Sequence, residues 1–98
     1  MKIYISGKIT GTSDYMERFA AVEKRLKIDG HDVVNPAKKN AGHKGMTWHW
    51  YMRRCIKWLM DCDAIYLMRG WRKSPGARLE QQIAAALDMI IFSQEKGE

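Results

Sequence analysis

Ninety-eight residues allow one domain with a modest core, and a hydrophobic share of 46% argues against a disordered chain. No apolar run approaches the roughly 20 residues needed to span a bilayer, and the N-terminus turns too early for a signal peptide, so a cytoplasmic location with no membrane partner is expected. The formal charge of +6 is uneven: from Lys38 to Arg78 ten lysines and arginines face only Asp61 and Asp63, a field that favours anionic ligands, either nucleotides or nucleic acid.

Lys2 to Ser6, rich in Ile and Tyr, reads as a central strand. The glycine-bracketed turn Gly7-Lys8-Ile9-Thr10-Gly11 follows. Ser13 or Asp14 can cap a helix over 14–28, with Asp14 and Glu17 at capping-box spacing and Met16, Phe19, Val22 and Leu26 on one face. His31 to Asn35 reads as a short second strand stopped by Pro36, and Ala37 to Met46 as a polar loop. Thr47 can cap a second helix with Trp48, Met52, Ile56 and Leu59 as its buried stripe. Asp63 to Met68 reads as a third strand. Ser74 suits the N-cap and Pro75 the first turn of a third helix over Ala77 to Leu87, whose inner edge is Leu79, Ile83 and Leu87. Met89 to Phe92 reads as a fourth strand, and the charged tail 93–98 is expected to fray.

Strands alternating with helices predict a single α/β domain over 1–98: a flavodoxin-like (Rossmann-like) three-layer sandwich with a four-stranded parallel sheet of order 2-1-3-4. Ligands bind such sheets beyond the carboxyl ends of the strands, here where the turn 7–11, the loop after strand two and the loop 69–76 converge. A helix opening just past a strand presents unpaired N–H groups able to hold an anion. Gly76 lets a ligand approach the backbone, Glu80 lies one turn further on the same face, and Arg69, Arg72 and Lys73 lead into the site.

Competing motifs are weak. Neither GxGxxG nor GxxxxGK[ST] is present. His31, His43, His49 and the two cysteines lack metal-ligand spacing, so no metal and no cofactor are expected. Cys55 and Cys62, seven positions apart on one helix, are about 10 Å apart and too distant for a disulfide. Asp63, at the amino end of its strand, suits local hydrogen bonding. Four tryptophans exceed what a small core holds. Trp50 and Trp58, with Tyr51, suit a subunit interface, and Trp71 could stack on a base.

Ile3-Tyr4-Ile5-Ser6-Gly7, Trp58-Leu59, Cys62-Asp63-Ala64 and Ser74-Pro75-Gly76-Ala77-Arg78-Leu79-Glu80 together resemble the nucleoside 2-deoxyribosyltransferase-like superfamily, and in particular its short members from phages and mobile elements. The likeness extends to about Ile91. It implies cleavage or transfer at the N-glycosidic bond of a 2′-deoxynucleoside 5′-monophosphate, with Glu80 as nucleophile. It also implies that Ser74 and Gly76 hold the phosphate, and that Tyr4 and the turn containing Gly7, Lys8 and Thr10 line the sugar and base. Serine at 74, with Arg69 and Arg72 nearby, favours the deoxynucleotide N-glycosidase branch. The family's second carboxylate, which helps protonate the leaving base, is replaced here by Cys55. Two other readings follow from the same residues: a nucleotide-binding module without chemistry, and a basic domain that binds nucleic acid or protein. A homodimer or higher homo-oligomer is expected from the small sheet and abundant aromatics.

Overall fold

A computed structural model describes residues 1–95 of the chain. Four parallel strands, β1 (Lys2–Ser6), β2 (Asp32–Val34), β3 (Ala64–Leu67) and β4 (Ile90–Ser93), form one sheet in the order β2-β1-β3-β4. This is the flavodoxin-like α/β arrangement expected from the alternating pattern. Register pairs Tyr4 with Val34 on one side and with Ile65 on the other, while Tyr66 pairs with Phe92.

Four helices connect the strands: α1 (Tyr15–Ile28), α2 (Pro36–Lys39), α3 (Trp48–Met60) and α4 (Pro75–Ala86). A 3₁₀ turn over Trp71–Lys73 precedes α4. The pleat of β1 and β3 sends alternate residues to opposite faces. Ile3, Ile5, Ala64 and Met68 pack with Phe19, Val22 and Leu26 of α1. Tyr4, Ile65 and Leu67 pack with Cys55 and Leu59 of α3 and with Ala77 and Ala84 of α4.

Several boundaries and faces differ from expectation. Residues 36–39 form α2, not loop: the Asn35 side chain accepts from the Lys38 N–H and Pro36 occupies the first turn. Asp14 precedes α1 without a side-chain capping bond. The buried stripe of α3 runs through Met52, Cys55 and Leu59; Ile56 is half-buried and Trp48 is 47% exposed. The inner face of α4 is Ala77, Glu80 and Ala84, whereas Leu87 is 58% exposed. Both cysteines are free thiols. Asp63 bonds locally, its carboxylate accepting from the Lys2 N–H at 2.9 Å. Of the tail, Gln94 and Glu95 are tied down by accepting from the Arg69 and Gly70 N–H groups at 2.8 and 2.6 Å. Residues 96–98 lie outside the described residues.

Candidate functional site

Glu80 is one turn inside α4 and points at the carboxyl end of β1. Its side chain is 5% exposed. The Tyr4 hydroxyl donates to one carboxylate oxygen at 2.5 Å and the Ser6 hydroxyl to the other at 2.7 Å. Tyr4 and Ser6 are two apart on β1 and therefore share the face toward α4. The carboxyl is fixed in orientation by two neutral donors and has no ion pair among the described residues.

The same carboxyl lines a cavity of about 490 Å³, within the size range of small-ligand sites. Its wall brings together the turn after β1 (Gly7, Lys8, Thr10), the segment after β2 (Asn40, His43, Lys44), the start of α3 (Trp48, Met52) and the start of α4 (Ser74, Gly76). Glu80 is the one carboxylate among the described residues that line it.

The electrostatics follow from burial. Desolvation pushes the Glu80 carboxyl from its ordinary 4.5 up to about 7, and the bonds from Tyr4 and Ser6 pull it back only in part. Tyr4 is raised well above its usual range, first by burial and then by the Glu80 charge, so it remains a donor. Burial likewise pushes the Cys55 thiol up to about 11. It is a neutral S–H at physiological pH, neighbouring Tyr4 and taking the Asn40 amide at 3.7 Å.

The N-terminus of α4 has one side-chain cap. Ser74 Oγ takes the Ala77 N–H at 3.2 Å, and Pro75 has none to offer. Gly76 is left with the first free N–H of the helix. A Cβ at Gly76 would meet Met52 Sδ at 3.0 Å and the Trp48 indole nitrogen at 3.8 Å, so the glycine keeps this corner open.

Of the residues singled out in the sequence, Glu80, Tyr4, Gly7, Lys8, Thr10, Ser74 and Gly76 all line this one cavity. Arg69 and Arg72 do not. Arg69 lines a separate groove beside α1, and Arg72 lies over the Trp71 ring at 4.8 Å and pairs with Glu95 at 3.8 Å. Arg72 lies in the 3₁₀ turn and Arg69 before it, and Lys73 is the cation of that loop that reaches the cavity. Trp71 is not available to a base: it is 8% exposed and belongs to the core beneath α4. Trp50 and Trp58 are half-buried under the Arg54 guanidinium, with Lys39 also over Trp58.

Tyr15, Asn40, His43, Lys44 and Trp48 were not foreseen as cavity residues. The polar, glycine-containing stretch 40–45 at the binding edge was the available signal for the middle three. The His43 carbonyl accepts from the Tyr51 hydroxyl, and its ring lies 5.3 Å from that of Trp50.

Residues 1–93 match the family model described as "Domain of unknown function (DUF4406)", and the chain belongs to that family. No curated protein matches the chain.

Proposed function

We propose that this member of the DUF4406 family cleaves, or transfers, at the N-glycosidic bond of a 2′-deoxynucleoside 5′-monophosphate. The observation that carries the reading is Glu80: a buried, doubly hydrogen-bonded carboxyl facing a ligand-sized cavity beside an open helix N-terminus. The likeness of Ser74 to Glu80 to the deoxyribosyltransferase-like motif supports it.

In this mechanism the 5′-phosphate rests on the Gly76 N–H, the Ser74 corner and Lys73, where the helix end favours negative charge. The ionised Glu80 attacks C1′ and displaces the base. The C1′–N bond breaks with its electron pair on the base, which takes a proton. Cys55, a high-pKa thiol, is a poor source of that proton. His43, on the cavity wall, is the residue whose chemistry fits the task. Water, or a second base, then attacks C1′ and restores the carboxylate. Tyr4 and Ser6 position Glu80 throughout.

Incubation with each deoxynucleoside monophosphate, followed by chromatography for free base, tests the reading. Wild type is expected to release base from at least one substrate and Glu80→Ala from none. Release that survives Glu80→Ala removes the proposal.

A second reading, nucleotide binding without turnover, draws on Cys55 in place of a second carboxylate. Saturable calorimetric binding of an intact nucleotide marks it. Binding of longer DNA through the basic middle section is a third, weaker reading, identified by a steep salt dependence. A homodimer forming across the cavity mouth belongs to the first reading, because Ile9 and Trp48 of the cavity wall, and Met46 beside Gly45 of that wall, are exposed.

A further inference from the structure

The sheet is unevenly covered on its α1 face. Ile3, Ile5 and Ala64 are buried beneath α1. Further toward the edge, Tyr66 is half-buried, while Phe92 and Ile90 are 37% and 47% exposed. Ile90 pairs with Ala64 and Phe92 with Tyr66, so these side chains lie on the same face as the α1 core. Parallel sheets are ordinarily covered on both faces. Among the described residues, none forms that layer over the β4 strip.

Between the strip and α1 runs a groove of about 780 Å³. Ala21, Val22 and Tyr66 contribute apolar wall, and Arg18, Arg25 and Arg69 surround it. The two last arginines both act on the Tyr66 hydroxyl, opposing the upward push of burial. Arg18 reaches the Arg69 carbonyl at 3.2 Å. Asp29 is the carboxylate of the groove, and it meets Arg25 only at 3.8 Å in an exposed pair. Arg18 and Arg69 have no ion pair among the described residues.

We propose that this groove docks an acidic amphipathic helix from another protein, supplying the missing layer over β4. Apolar positions of that helix cover Tyr66, Ile90 and Phe92, and its carboxylates meet the three arginines. Charge complementarity selects this occupant. A second copy of the chain offers no acidic helix: α3 has no acidic residue, α4 has only the buried Glu80, and α1 sets Glu17 and Glu23 against four cations. Two copies docked face to face here also bring arginine against arginine. Nucleic acid satisfies the arginines but leaves the apolar strip uncovered.

The test uses a hydrocarbon-stapled peptide of about four turns, leucine on one face and glutamate along its flank, with a lysine-flanked twin. Fluorescence anisotropy is read on wild type, Arg25→Glu/Arg69→Glu and Phe92→Ser, each first checked for native circular dichroism and melting. Saturable binding of the glutamate peptide, and not of its twin, is expected. The arginine double variant is expected to lose about tenfold or more in affinity for the glutamate peptide and to gain binding of the lysine one. Phe92→Ser is expected to weaken binding without reversing the preference. Equal binding of both peptides, no binding of either, or indifference to both variants overturns the proposal. So does displacement of the peptide by a DNA duplex from wild type alone, or a wild-type dimer that Phe92→Ser dissociates.

Discussion

Burying Glu80 against two hydroxyls gives the folded state a higher proton affinity than the unfolded chain. The unfolded carboxyl ionises near 4.5 and the folded one near 7. Its contribution to stability is therefore fully present below 4.5 and is lost as pH rises through 7, a change of up to about 3 kcal/mol. Glu80→Gln keeps the shape without the charge. Urea unfolding is expected to find it more stable than wild type by about 1–3 kcal/mol at pH 8, with the gap closing near pH 5. A Gln variant less stable at pH 8 means that the charge is better compensated than burial suggests. Tyr4 and Ser6 pull the carboxyl down, so Tyr4→Phe is expected to move its titration upward. Carboxyl-carbon NMR of Glu80 measures that directly, and the acidic limb of any base-release activity is expected to follow in the same direction. A downward move places the main cause elsewhere than the Tyr4 bond.

At the scale of elements, α4 joins the stability of the fold to the site. Ser74 Oγ satisfies the Ala77 N–H, and loss of such a cap costs about 1 kcal/mol. Ser74→Ala is expected to lower the melting temperature accordingly. It is also expected to raise KM for a deoxynucleoside monophosphate more than for the unphosphorylated nucleoside. An equal rise for both assigns Ser74 to capping alone. This end of the helix was legible because Ser-Pro-Gly after an apolar strand is a local signal. The inward face was not. Leu79, Ile83 and Leu87 are the larger apolar residues, yet Ala77 and Ala84 face the sheet because α4 packs closely and leaves room for the Glu80 side chain between them. In α3 Cys55 holds the inward position for a similar reason, and Trp48 turns out to the cavity. The helix α2 had a cap in Asn35 and a proline start in Pro36, but the same Pro36 also reads as a strand stop.

Across the whole molecule, strand order and the sheet edge that carries the cavity were legible because right-handed crossovers leave few arrangements. The destination of each cation was not, because it depends on contacts far along the chain. Gln94 and Glu95 accept from the Arg69 and Gly70 N–H groups and fix the loop so that Arg69 faces the α1 groove. The sheet edge and the cavity mouth thus present two separate surfaces. The cavity wall includes Ile9 and Trp48, 36% and 47% exposed, together with Lys8 and Lys44, and Met46, next in the chain to the lining residue Gly45, is 43% exposed. Apolar side chains grouped at a rim suit a contact between copies, since the centre of such contacts is depleted in charge. Sedimentation velocity is expected to show a dimer that Met46→Lys/Trp48→Lys converts to monomer, because two added charges per copy oppose each other across a two-fold axis. The same variant is expected to leave binding of the stapled acidic helix unchanged, since that groove, along α1 and Tyr66, shares no lining residue with the cavity. A dimer that persists in this variant puts the contact elsewhere, and a wild type that is monomeric at every concentration removes the assembly from the proposed function.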